Sequence, residues 1–535
     1  MFVSTSIHRY RTAVEHCVLA IEQLEWPLEF WRVAAVLRSD RHAFLLDTAR
    51  ELPGRPGFSF AGCAPSQVLR ARLCGALAPL GHAELEWQRF EVDDPGAAPR
   101  EARYRGDLFE ALRQALAEIA LPGELRHALP LPFVGGAVGY VGYDVARFIE
   151  RLPQQAERDV DVPELCLMFV DQLLVYDHRA AQTHLVTTGR GSSEAEAHAR
   201  ADRMRAALRA RLERAIDADR RASVHHSDTA GPAAISVKHG RASESVAARA
   251  ASGLRSHASA CDYAHTVERA REHILAGDAF EVCTTHRLAG AYRGDAWALY
   301  EKLRAINPAP FACYLQLPEV QLLSSSPERF LRLSRAGAVE ARPIKGTRPR
   351  GATPEQDERL RLELANSIKD RAENVMIVDL MRNDLGRVCE VDSIHVPELM
   401  VVEDHPSVFQ LISTVCGQLS TEQHPVALLR ACFPPGSMTG APKIEAMKII
   451  DALEPYRRGI YSGCVGYFDA GGAMDWSVVI RSFVLQAGRC FVGTGGAVVA
   501  DSDAAAEYAE SMTKAEALLR AFDAAQHAQA QHEHE

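Results

Sequence analysis

Lys345 lies in Ala341-Arg-Pro-Ile-Lys-Gly-Thr-Arg-Pro-Arg350, between an apolar residue and a glycine, just after the strand-like runs 329–334 and 338–341. Pro343 stiffens the backbone before it, and Gly346 removes side-chain bulk after it, so a ligand can approach closely. A lysine is a nucleophile only when neutral. Bringing an ordinary lysine from about 10.4 to about 7.5 takes about 4 kcal/mol. Burial and the cationic neighbours Arg342 and Arg348 are expected to supply this, unless a carboxylate removes the proton as attack begins. The competing reading is a surface lysine that holds an anion together with Arg342, Arg348 and Arg350.

Two acidic pairs complete the chemistry-bearing set. Asp370 with Glu373, and Glu507 with Glu510, are each three residues apart, a spacing that places both members on one helix face. The first pair is expected on a helix opened by Thr353-Pro-Glu-Gln356, which has capping-box form with proline at the first helical position. That helix is expected to end into the apolar run 375–378. The second follows the turn Gly493-Thr-Gly-Gly496 and the capping candidates Asp501 and Asp503, with Lys514 four residues beyond Glu510. One such pair is ordinarily a solvated face. Two pairs beside the lysine motif suit Mg²⁺, which takes oxygen ligands, keeps waters and completes its shell with an anionic substrate.

The elements that must position these groups read as follows. Residues 1–216 form one region of mixed helix and strand, with short strands at 43–46 and 58–61 around the turn-rich stretch 52–57, strand–turn–strand over 165–176, and a helix over 191–216. The glycine-rich stretch 131–143 reads as close strand packing, because no phosphate-loop order follows it. Residues 217–260 have few large apolar groups and no clean period, so they read as an insert or linker, with His225-His226 in a solvated loop. From 261 to 525 the pattern is a second region: a helix over 263–275 ended by Gly277, strands at 280–288 and 311–317, and Glu328 just after a strand end. Residues 526–535 read as a frayed tail.

Bulk properties exclude several classes. The chain has 535 residues, 47 % hydrophobic and 24 % charged, with net charge −10, so nothing favours general nucleic-acid binding. No apolar run approaches membrane-spanning length, and the first ten residues lack a signal-peptide core. Twelve cysteines without any CxxC pair read as reduced thiols in a cytoplasmic protein.

Pro343-Ile-Lys-Gly-Thr-Arg-Pro-Arg-Gly351 resembles the signature of the chorismate-utilising enzymes, a family that includes anthranilate, aminodeoxychorismate, isochorismate and salicylate synthases. The likeness runs through both regions and is densest from Cys261 to Phe522. It implies an α+β fold: a large core of antiparallel sheets flanked by helices, with the N-terminal region packed onto it. Anthranilate synthases typically carry alanine at the position of Lys345. Lysine there resembles the aminodeoxychorismate synthases, in which it is understood to attack the substrate ring.

The resemblance also distributes roles. Lys345 is the nucleophile and Glu328 the general acid/base. Mg²⁺ is held directly by Glu373 and Glu510, with Asp370 and Glu507 acting through waters. Val479-Ile-Arg-Ser482 resembles the strand whose arginine grips a substrate carboxylate, which makes Arg481 the bidentate partner, with Tyr461 and Lys514 nearby. Gly495, Gly496 and Ala497 offer backbone N–H groups. Phe433-Pro-Pro-Gly-Ser-Met-Thr-Gly-Ala-Pro-Lys443 resembles the substrate-side loop, with Ser437, Thr439 and Gly440 lining the pocket and Lys443 directed to a helix terminus. Gln410 stands where anthranilate synthases commonly have histidine. Thr48 stands where feedback-inhibited relatives have a tryptophan-binding serine. The implied reaction turns chorismate and ammonia into 4-amino-4-deoxychorismate, a precursor of 4-aminobenzoate and folate. No cysteine lies in a glycine-flanked elbow, so a separate glutamine amidotransferase subunit would supply the ammonia. The alternatives are an anthranilate synthase, which eliminates pyruvate, and a non-catalytic regulator that binds chorismate or tryptophan.

Overall fold

Two antiparallel sheets, of 13 and 12 strands among the described residues, carry the chain. This computed structural model describes residues 2–11, 16–25, 29–52, 57–74, 79–90, 98–121, 129–225, 253–405 and 408–532. The expected α+β architecture is present, and the N-terminal region extends both sheets, as one contiguous block of strands in each. In the first sheet Ala43–Asp47 pairs with Phe311–Gln316, from Ala312 opposite Asp47 to Gln316 opposite Ala43. In the second, Gly136–Val141, from the glycine-rich stretch, pairs with Cys464–Asp469. The run expected as strand, turn and strand also divides. Leu165–Val170 joins the second sheet and Gln172–Asp177 the first.

The chain crosses between the sheets at two neighbouring places that matter for the site. Gln321–Ser326 belongs to the first sheet and Arg329–Leu333 to the second, so Pro327 and Glu328 form one crossing. Met474–Val478 and Ser482–Gln486 are divided in the same way, so residues 479–481 form the return crossing. The crossings run side by side: Val478 N donates to the Glu328 oxygen at 3.1 Å, and Ser325 N to the Arg481 oxygen at 3.1 Å.

Local signals set the helix ends. Ala260–Ala276 begins in a full capping box between Ser259 and Asp262 and ends at Gly277, whose φ is 89°. The helix opened by Thr353, however, runs only from Pro354 to Asn366. Ser367 leaves the helical region and caps a new helix, Ile368–Gly386, by accepting from Asp370 N. Asp370 and Glu373 therefore stand in the first turns of their own helix, and the stretch 375–384 continues that helix instead of following it.

Two other expectations are corrected. The helix beginning at Glu194 continues to His225, past the expected end at 216. Leu254 is buried, and Arg255–Ser256 pairs with the strand Glu281–Ala291, so the insert is shorter than 217–260 at both ends. His226 and the other residues of 226–252 lie outside the described residues. Ala504–His532 is one helix, so most of the expected frayed tail is helical, because Ala521, Phe522 and Ala525 bury a stripe that carries it onward. Among the described residues no helix is long and apolar enough to cross a membrane.

The loop 433–443 is tied to the strand Glu281–Ala291 by backbone pairing of Gly440 with Val282. Gly440 has a φ of 127°, and a Cβ there would stand 2.0 Å from the Glu281 carbonyl oxygen. Gly440→Ala is expected to destabilise the fold by about 2–4 kcal/mol, combining backbone strain with overpacking. Urea or thermal denaturation would measure it, and an unchanged midpoint would contradict the close approach described.

Candidate active site

Lys345 owes its direction to a bulge. Ile344–Pro349 pairs with Val408–Gln418, but the register slips between Ile344, opposite Ile412, and Thr347, opposite Gln410. Two residues thus stand against one, and Gly346 takes up the extra length at φ 82°. The lysine side chain turns inward and is 8 % exposed. Its Nζ donates to Glu281 Oε1 at 2.6 Å. Glu281, on the first sheet, is fully buried, and its second oxygen has no hydrogen-bond partner.

This environment makes the resting lysine a cation, which corrects the expectation of a neutral one. Burial by itself pulls its pKa down, but the carboxylates of Glu281 and Glu373 outweigh burial and hold it above the usual lysine value. The expected cationic neighbours are engaged elsewhere. Arg342 donates to Glu403 and Thr414. Arg348 bonds Glu363 at 2.8 Å and Asp370 at 3.0 Å. The carboxylate in contact with its ammonium is Glu281.

Glu328 sits at the first crossing, 5 % exposed. Burial raises its pKa to about 7, against the opposing pull of the Ser437 hydroxyl and the Lys345 charge. A carboxyl group poised there can give or take a proton near neutrality. Ser437 lies in a short helical turn, 436–438, and its buried Oγ faces Glu328. Thr439 is committed to the loop: its hydroxyl donates to Gly436 O, and its own oxygen accepts from Cys283 N. Lys443 Nζ donates to Cys432 O at 2.6 Å, at the C-terminus of the helix Pro425–Cys432, and also bonds buried Asp384. It anchors the loop.

Each of the four acidic side chains is answered by a resident cation. Lys369 Nζ lies 2.8 Å from Glu507 Oε1 and 3.8 Å from Glu373 Oε1. Glu510 pairs with Lys514 at 2.8 Å, and Asp370 with Arg348. Burial raises the Glu373 carboxyl to about 7, with Lys345 pulling against it. Glu510, beside Lys514, is held below the usual carboxylate value. Among the described residues no three histidine, cysteine or acidic side chains stand close enough to share an ion. The donor chemistry suits a hard cation all the same: Glu373 Oε1 is buried with no hydrogen-bond partner, and Glu373 and Glu507 turn toward one ammonium from two different helices.

Arg481 lies between two strands instead of within one, at a left-handed φ of 52°. Half-buried, it donates to the Lys514 backbone oxygen, and burial lowers its pKa. That leaves guanidinium donors for an incoming carboxylate. Tyr461 lies against Gly493, where any side chain would strike its ring, and burial keeps its phenol protonated. Gly495, Gly496 and Ala497 pair with Thr285, Thr284 and Cys283 on one side. On the other side the neighbouring strand pairs only as far as Phe491, and Lys514 Nζ bonds the Gly495 oxygen at 3.0 Å.

Two participants were missed in the sequence: Glu281 and Lys369. Glu281 had a signal, since a carboxylate amid Phe280, Val282 and Cys283 in a buried strand demands a partner. Lys369 had a weaker one, its i,i+4 spacing to Glu373. Thr48 spends its hydroxyl on the Phe58 oxygen at 2.8 Å.

Comparison with known proteins follows the same lines. The chorismate binding enzyme family matches residues 89–520. The aminodeoxychorismate synthase of Streptomyces griseus is 44 % identical over 397 residues, 74 % of this chain but only 51 % of that protein, so the chain spans about half of it. Aminodeoxychorismate synthase component 1 of Klebsiella aerogenes is 40 % identical over 74 % of this chain and 78 % of its own. Anthranilate synthase component 1 of Thermus thermophilus is also 40 % identical, over 78 % and 83 %. The crystal structure of anthranilate synthase component I from Streptococcus pneumoniae superposes with a TM-score of 0.65 at 28 % identity, covering 88 % of this chain and 93 % of that one. The matched span takes in the crossings, the lysine bulge and both acidic helices: the chain belongs to the chorismate binding enzyme family.

Proposed function

We propose that the chain is the chorismate-aminating component of an aminodeoxychorismate synthase, replacing the C4 hydroxyl of chorismate with an amine and keeping the enolpyruvyl group. The observation that carries this reading is the buried Lys345 ammonium 2.6 Å from the buried Glu281 carboxylate, close enough to Glu328 to bias its ionisation. The names of the Streptomyces and Klebsiella relatives support it. Gln410, buried opposite Thr347, has no acid or base function at neutral pH, which disfavours pyruvate elimination.

In this reading Arg481 and the open edge at Gly495 receive the substrate's carboxylates, and Tyr461 closes the pocket. Mg²⁺ held by Glu373 and Glu510, with Asp370 and Glu507 acting through waters, would supply charge neutralisation at the ring carboxylate. Glu281 takes a proton from Lys345. The freed amine bonds ring C2, both ring double bonds shift, and the C4–O bond breaks. Glu328 donates its proton to the departing hydroxyl, which leaves as water. Ammonia then bonds C4, the double bonds shift back, and the C2–N bond breaks with its electrons returning to Lys345, which recovers its proton from Glu281. The proton shed by the new amine restores Glu328. A separate glutamine amidotransferase subunit would release the ammonia, and the free cysteines fit a cytoplasmic setting.

With chorismate and Mg²⁺ but no ammonia, intact-mass analysis is expected to show chorismate less water bound to the wild-type chain. Lys345→Ala should abolish the adduct and lower kcat about 10³-fold or more. No adduct in either protein, under conditions competent for turnover, counts against the covalent step. With ammonium added, 4-aminobenzoate should form only after a lyase is supplied; fluorescent anthranilate would instead identify an anthranilate synthase.

Glu328 gives a pH prediction. Its acid form is lost as pH rises through about 7, so kcat is expected to fall above that pH. Glu328→Gln should lower kcat about 10²–10⁴-fold. The sign for stability follows from linkage. A carboxyl raised from 4.5 to about 7 in the folded state binds its proton more tightly there, so stability is highest below 4.5 and declines as pH climbs to about 7. Glu328→Gln is therefore expected to stabilise the protein at pH 8 relative to pH 5, by up to about 3 kcal/mol. Thermal denaturation at the two pH values checks it.

A further inference from the structure

Lys369 occupies an unfavourable place for a cation. It is the second residue of the helix Ile368–Gly386, where the positive end of the helix dipole repels it. What holds it there is a pair of carboxylates, Glu507 Oε1 at 2.8 Å and Glu373 Oε1 at 3.8 Å. These belong to two helices and are 2 % and 8 % exposed, whereas Lys369 is 44 % exposed. Glu373 is also nine-tenths buried, and its Oε1 makes no hydrogen bond. Glu507 Oε1 is steadied by Ser502 Oγ at 2.7 Å. The two acids are thus largely fixed, and the one mobile member of the group is the ammonium, on a flexible stem that already reaches solvent.

We propose that Lys369 is an internal counter-ion standing in the divalent-cation seat: it neutralises Glu373 and Glu507 in the metal-free protein and is displaced into solvent when the divalent ion enters. The proposal rests on the Mg²⁺ reading above. It accounts for why the acidic groups show no ion-sharing geometry while their donors turn to one point, since a lysine nitrogen and a metal cannot share that point. The ammonium also keeps two buried carboxylates from repelling each other before the metal arrives. Its cost is a weaker apparent metal affinity, because each binding event must break the Lys369 contacts. Lys514 is a poorer candidate, since its nitrogen is held by the Gly495 oxygen as well as by Glu510.

The test uses Mn²⁺ as a paramagnetic probe, its free concentration read by electron paramagnetic resonance, on the full chain without chorismate. Lys369→Met is expected to bind Mn²⁺ about tenfold tighter than wild type, equivalent to ~1.4 kcal/mol. Its metal-free form should melt earlier and recover on adding Mg²⁺. Lys369→Arg, which keeps the charge and can engage both carboxylates, is expected to bind Mn²⁺ more weakly than wild type, and this variant decides the matter if the methionine variant does not fold. Glu373→Gln should remove binding in either background. Wild-type binding with no gain in Lys369→Met and no loss in Lys369→Arg overturns the proposal and leaves the metal reading standing. If no variant binds Mn²⁺, the metal reading fails and the proposal falls with it.

Discussion

A buried ammonium facing a fully buried carboxylate is the interaction on which the rest of the site depends. Lys345 belongs to the second sheet and Glu281 to the first, and their 2.6 Å contact joins the two across the interior. Removing two charges from water is expensive, and close pairing is what offsets it. The pair therefore constrains everything around it. The bulge at Gly346 turns the lysine inward, Gly440 lets the loop 433–443 press against the backbone of Glu281, and Lys443 anchors that loop from behind. Loosening any of these would leave a buried charge without its partner.

The same logic extends to the acidic end. Four carboxylates from two helices meet three cations, Arg348, Lys369 and Lys514, so most of their charge is answered within the chain. Contacts the protein makes with itself hold these side chains in place.

The architecture is common to enzymes of different chemistry. The chain superposes on an anthranilate synthase component over most of both lengths, and its relatives include both aminodeoxychorismate and anthranilate synthases at similar identity. Fold alone does not decide between them. In each sheet the strands before residue 226 form one block and those after 252 another, joined at one strand pair, and both crossings lie in the second block.

Much of this was legible in the residues. Hydrophobic periodicity gave a helix over 263–275 and its glycine stop, which the structure extends to 260–276, and the buried strands around 43–46 and 165–176 could be read from apolar runs. The residue type at 345 and the three-residue spacing of the acids marked the chemistry. Other features were misread where tertiary contacts overrode the local pattern. Ser367 breaks one expected helix into two because it caps in both directions, and the tail remains helical because its apolar stripe finds a surface to cover. The sequence by itself determined which groups exist and which face of an element they share, since spacing along the chain encodes both. Only the tertiary structure decided which charge answers which: Lys345 meets Glu281 64 positions away, and Lys369 meets Glu507 138 positions away. Coulombic pairing acts across a few ångströms of space, and no window of sequence records that distance.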